Sequence, residues 1–342
     1  MLRLSTLVCV PVSIWLSCAA ARAPQPVAGP AGALSALSYP GAGNPVAVPT
    51  DKSFVSLEGP YWVAAGSYLI FSDVVEANGP GALIYRFDPG SRQFTVVPYP
   101  ITPAAPAAQP TSTNGLAVDS TGNLLACERY NARLVRVGTD GKLAVLADGW
   151  PTGADPTSPA RRAFNAPNDL AVRGDGTVYF TDSDWGARPG TAQARMGVYR
   201  LSPRGDLTRV MDLDKPNGIA LSPDEATLYV GSDVQAKVWR LPLDSAGVPG
   251  AATLFIDGAR VPGGFKVPDG ICVDDAGNLY VTNNADDVSA IVVFDKTGQS
   301  LGRIAFPHAP SNCTFGGADR RTLYVTTLHA LYEVRMPVAG RP

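Results

Sequence analysis

Short apolar runs alternate with polar turns along most of the chain, and few stretches show the three-to-four-residue spacing of an amphipathic helix. The segments "LAVDSTGNLLACE", "LAVRGDGTVYFTD", "IALSPDEATLYVGSD", "ICVDDAGNLYVTNN" and "CTFGGADRRTLYVTT" each read as strand, tight turn, strand. Their turns carry the Gly, Asp and Asn that reversed backbone needs. Further alternating runs follow, among them "GVYRLSP", "KVWRLPL" and "AIVVFD". A polar residue stands just before each first strand: Glu58, Asn114, Asn168, Asn217, Asp269 and Asn312, at intervals of 43 to 56 residues. A unit of roughly 50 residues with about four strands is one propeller blade. Six anchors therefore predict an all-β, six-bladed β-propeller. A single blade cannot bury both faces, so all six form one domain, expected over residues 51–337. A two-sheet sandwich would not explain a fixed polar anchor before the same strand each time.

In a propeller the first strand of each blade lines the central channel, so the six anchors are expected to meet at one mouth. An Asn or Asp before a strand commonly caps its own turn, but Glu58 does not fit that pattern. Two carboxylates gathered among amides in a narrow channel repel unless a cation or proton joins them. The set offers oxygen alone, with no His or Cys, which suits a hard cation in a central metal site, Ca²⁺ first. Mg²⁺, Mn²⁺ and Zn²⁺ are the alternatives, with zinc the poorest match because it favours His or Cys.

Composition narrows the class. The 342 residues are 45% hydrophobic and 17% charged, with a net charge of −2, which describes a globular protein and gives no electrostatic reason to expect nucleic acid. Residues 1–23 carry one early Arg, an apolar run from Leu7 to Leu16 and small residues after it. This reads as a signal peptide, too short to span a bilayer, so the protein is expected to be exported, periplasmic or secreted. A lipid anchor at Cys18 is the alternative to a cleaved leader. Residues 24–50 are uncharged and rich in Pro, Gly and Ala, which predicts a flexible tether. Cys127, Cys272 and Cys313 remain beyond the leader; without CxxC spacing they point to buried thiols, with one bridge as the alternative.

The phrases "LEGPYW", "STNGLAV", "APNDLAV", "KPNGIAL", "VPDGICV" and "SNCTFGG", in this order from Phe54 to Val334, resemble the gluconolactonase/regucalcin (senescence marker protein) family of six-bladed propellers. The resemblance implies a hydrolase of a small-molecule lactone or ester with one divalent metal, usually calcium, in the channel. It makes Glu58, Asn217 and Asp269 the core metal ligands. Asn168 matches a position that binds the metal or contacts water and substrate beside it. Asp269 is implied as general base, with direct nucleophilic attack as its alternative, and Asn168 as its catalytic companion. Asn114, Asn168 and Asn312 are the expected substrate contacts. One departure stands out: regucalcin-like members carry Arg two residues before the Asn168 position for sugar contact, and this chain has Ala166.

Other catalytic signals are missing from the sequence. It contains no GxSxG elbow and no Gly-rich nucleotide fingerprint. His308 and His329 are the only histidines; they are expected on a surface loop and in a structural role. The run "DSDWG" lacks the later ligands of a calcium loop, and Trp62 and Trp185 read as core or as pocket walls. The expected function is a metal-dependent lactonase or esterase. A phosphotriesterase or arylesterase-type hydrolase and a non-enzymatic, ligand-binding propeller are its rivals.

Overall fold

A computed structural model describes residues 38–74, 83–100, 112–151, 161–185 and 195–342. Six four-stranded antiparallel sheets follow one another around a central channel. Their innermost strands are Leu57–Val63, Thr113–Val118, Ala166–Val172, Pro216–Leu221, Pro268–Val273 and Pro310–Gly316, in blades 1 to 6. Blades 1 to 5 then run outward in chain order, as blade 3 does through Val178–Ser183, Gly197–Leu201 and Leu207–Asp212. A small hairpin of Gly149–Pro151 with Arg161–Ala163 stands between blades 2 and 3. The all-β, six-bladed architecture is as expected, and each anchor is the second or third residue of the innermost strand of its own blade.

Apolar side chains from facing blades interleave to form the core. Leu125 and Cys127 of blade 2 share one buried cluster with Phe180 and Tyr199 of blade 3. Phe180 stacks on Tyr199 with ring centroids 5.3 Å apart. Burying each such ring contributes about 1.5–3 kcal/mol. A blade alone would leave these faces in water, so the ring must close on itself.

Closure draws on both ends of the chain. Blade 6 takes three strands from the C-terminal region, and its outermost strand is Val46–Ala47, paired with Tyr332 and Glu333. Trp62 of blade 1 stacks on Tyr324 of blade 6 at 5.6 Å, which makes it a core residue of this seam. Tyr39 packs edge-on against Tyr280, 5.9 Å away, inside the cluster shared by blades 5 and 6. These contacts correct the expected domain start: the fold takes in residues 38–50, which the tether reading had excluded. The strand is short and its side chains are exposed, so it is held through its backbone and leaves little hydrophobic pattern. At the other end Gly340 bridges to Asp274, carrying the packed chain beyond residue 337. The expected leader, Cys18 and the rest of the tether lie outside the described residues.

A second repeat secures the anchors from behind. At the end of the second strand, Asp73 accepts the backbone N–H groups of Val55 and Ser56 at 2.9 and 3.0 Å. Asp182 likewise accepts Asn165 and Ala166, and Asn283 accepts Lys266 and Val267. These polar side chains tie down the segment leading into each anchor. Asp182→Ala would strand several buried N–H groups and is expected to destabilise the fold by ~3 kcal/mol. Chemical denaturation of the purified variant checks this; an unchanged midpoint would contradict it.

Candidate active site

The anchors are expected before their strands; each lies instead within one, at a break in register. Pairing shifts between Glu58 and Tyr61, between Pro167 and Leu170, between Pro216 and Ile219, and between Pro268 and Ile271. The same happens between Thr113 and Leu116 and between Pro310 and Asn312. A bulge re-aims side chains that strict alternation would send to opposite faces. Small residues then let the bulged strands approach. A Cβ on Gly218 would fall 2.1 Å from the Asp269 carbonyl oxygen, and one on Gly270 would fall 2.1 Å from Asn312 Oδ1. Hydroxyls clasp one blade to the next: Ser72 donates to the Asn114 carbonyl at 2.8 Å and Thr181 to that of Asn217 at 2.9 Å.

The result is a compact polar cluster. Asn114, Asn168, Asn217, Asp269 and Asn312 are buried, whereas Glu58 keeps some exposed area in the channel although protein surrounds it. The Asn312 amide donates to Glu58 Oε2 and to Asp169 Oδ2, each at 3.4 Å, so these two carboxylates share one donor. The Gly59 N–H lies 3.3 Å from Glu58 Oε2. Asn284 donates to Asp269 Oδ2 at 2.8 Å. The Asn114 Oδ1 atom is buried and has no hydrogen-bond partner among the described residues.

Electrostatics records the crowding. Burial pushes Glu58 well above the ordinary carboxyl range, and the charges of Asp269 and Asp169 push it further. Burial raises Asp269 to about 7; the Asn284 and Asn217 amides oppose this, while Asp233 and Asp169 add to it. Asp169 is raised to about 6, chiefly by burial. Asp233 is raised by burial against the pull of Lys215. The groups that favour ionisation of Glu58, Asp169 and Asp269 are amides and backbone N–H groups. Among the described residues no three His, Cys, Asp or Glu side chains stand together at metal-ligating geometry; the donor set here is carboxylates interleaved with asparagines.

Of the six expected site residues, Glu58, Asn217, Asp269 and Asn312 are linked by hydrogen bonds or charge, and two acidic residues absent from the expected set, Asp169 and Asp233, act on them. Asn114 and Asn168 are buried on the innermost strands of blades 2 and 3. Asp169 follows Asn168 directly, and in a regular strand it would face away. Asp233 follows the second strand of blade 4, and nothing in its local sequence marks it. His308 is exposed and bonds the Tyr332 hydroxyl through Nδ1 at 3.0 Å. His329 reaches the Phe54 carbonyl at 3.0 Å. Trp185 stands at the same end of the blades, 41% exposed, with the Lys215 ammonium 3.9 Å over its ring. A cavity of about 1050 Å³ opens on the opposite face along Leu116, Leu170, Ile219 and Ile271. Asp169 and Asn312 form its floor.

This order of blades and anchors has known counterparts. The sequence profile of the SMP-30/Gluconolactonase/LRE-like region matches residues 57–329, from the first anchor strand into blade 6. The chain belongs to this family. A gluconolactonase of Zymomonas mobilis is 31% identical over 300 residues, spanning 83% of this chain and 79% of its own. A solved gluconolactonase from Xanthomonas campestris superposes with a TM-score of 0.69 at 30% identity, covering 89% of this chain and 92% of that one. The calcium-binding protein regucalcin from Agrobacterium tumefaciens shares the fold, with a TM-score of 0.64 at 21% identity over 86% of this chain and 96% of its own. Membership of this gluconolactonase-like family, with relatives named for lactone hydrolysis, supports a lactonase role for the propeller. It also makes a small-molecule lactone the implied substrate. No helix of the described residues is long and apolar enough to cross a membrane.

Proposed function

We propose that this family member is an exported, divalent-cation-dependent lactonase, with Ca²⁺ as the fitting ion. The observation that carries the cation is the Asn312 amide shared by Glu58 and Asp169 at 3.4 Å, with Asp269 near enough for its charge to raise Glu58 and with amides as the other partners. The unpartnered Asn114 oxygen adds a further buried acceptor to the same set. Hard oxygen donors of mixed charge suit Ca²⁺, and Glu58, Asn168, Asn217 and Asp269 would hold it. When bound, the cation supplies Lewis-acid polarisation of the substrate carbonyl.

The side chains perform the rest of the reaction. Asp269 takes the proton of the attacking water and delivers it to the departing ring oxygen. Asn284 fixes the plane of that carboxylate through its 2.8 Å bond, so Asp269 meets the water in one orientation. Asn114, Asn168 and Asn312 present amides to the lactone oxygens and hold the carbonyl near Asp269. Ala166, where regucalcin-like relatives carry Arg, is fully buried and uses its N–H on Asp182. No guanidinium grips a sugar from that position, so the proposed substrates are lactones as a class and not aldonolactones alone.

The test is a panel of aldonolactones, simple aliphatic lactones and aryl esters, assayed on purified protein before and after EDTA. Lactone turnover is expected to vanish on chelation and return with Ca²⁺. Turnover that survives exhaustive chelation would contradict the cation, and cation-loaded protein inert on every lactone and ester would favour the ligand-binding rival.

A further inference from the structure

Two thiols meet where blades 5 and 6 face each other. Cys272 lies on the innermost strand of blade 5 and Cys313 on that of blade 6, 41 residues apart in sequence, with their Sγ atoms in contact at 2.7 Å. Both are buried in the apolar cluster formed by these blades, yet both also line the 1050 Å³ channel cavity. The third described cysteine, Cys127, sits in a different cluster between blades 2 and 3. Structural thiols in an apolar core do not need to meet, and a thiol pair that touches across two strands without a ladder bond between them is placed for cross-linking.

We infer that Cys272 and Cys313 are a cross-linking site, oxidised to an inter-blade disulfide by a small disulfide-bearing oxidant that enters through the channel. In the first step the thiolate of one cysteine attacks the oxidant's S–S bond. A mixed disulfide forms and one oxidant thiol departs. The second cysteine loses its proton and attacks the mixed disulfide; the Sγ–Sγ bond forms and the second oxidant thiol leaves. The cysteines lose two electrons and two protons, and the oxidant is reduced to two thiols. The bond would join the two inner strands just behind the polar cluster, three residues after Asp269 and one after Asn312. The inference does not depend on the lactonase reading.

Peptide mapping tests it on the full chain. The folded, reduced protein is incubated with oxidised glutathione at mildly alkaline pH, then unfolded, alkylated, digested and weighed. The peptides bearing Cys272 and Cys313 are expected as one linked species, about 2 Da below their sum and separable by a reductant. Cys127 is expected alkylated. The cross-linked protein is also expected to melt about 4–8 °C above the reduced form. Alkylation of both Cys272 and Cys313, a lasting glutathione adduct on either, or a link from either to Cys127 would overturn the assignment. Identical melting of the linked and reduced forms would overturn the bracing of the two strands.

Discussion

Asp269→Asn is expected to cut lactone turnover by ~100- to 10,000-fold, the range of a lost general base. Asn keeps the size and the hydrogen-bonding capacity of the side chain toward Asn284 but does not take a proton from water. The fold should not suffer. Burial and the charges of Asp233 and Asp169 already work against an ionised Asp269, so a neutral replacement removes a repulsion. In EDTA at pH 8 the variant is therefore expected to melt above the wild type. With saturating Ca²⁺ the order should reverse, because the variant lacks one anionic ligand. Steady-state kinetics and a melting series in each buffer check both halves; full activity in Asp269→Asn would remove it from the reaction.

Proton linkage provides the second large effect. In the chelated protein Asp269 titrates at about 7 and Asp169 at about 6, both raised from the ordinary 3.8. Glu58 is shifted in the same direction. A carboxyl raised on folding binds its proton more tightly in the native state, so stability is greatest below the unfolded value and falls as pH rises through the folded one. Between pH 5 and 8 the chelated protein is expected to lose about 5–10 °C in Tm. Surface carboxylates such as Asp319, held at about 2 by Arg335, are ionised throughout that window and add no slope. Saturating Ca²⁺ should flatten the profile by stabilising the ionised cluster. A flat profile in EDTA, measured by thermal scanning across buffers, would contradict the burial of these three acids.

The fold was legible because the same phrase returns six times with a polar residue in the same place, and only a ring of blades makes use of that repetition. Glu58 and Asp269 stood out because carboxylates replace asparagine at equivalent positions. Three features were hidden, each for a physical reason. Val46–Ala47 pairs through its backbone with its side chains outside, so its Pro- and Gly-rich surroundings read as a tether. Asp169 reaches the channel because the register shifts beside it, and no alternation rule foresees a bulge. The clasp residues Ser72 and Thr181, with Asp73 and Asp182 beside them, repeat visibly as "FSD" and "FTD". Their role emerges only where one blade's hydroxyl meets the next blade's carbonyl.

Calcium titration into chelated protein, followed by calorimetry, puts the central claim to its most direct test. One Ca²⁺ per chain is expected in the wild type, with proton release near neutral pH as Asp269 and its neighbours ionise. Glu58→Gln is expected to weaken that binding at least ~100-fold, since it removes a charged oxygen from the site. Undiminished binding in Glu58→Gln, or no binding in a wild type that still hydrolyses lactones, would show that the channel carboxylates serve some other end.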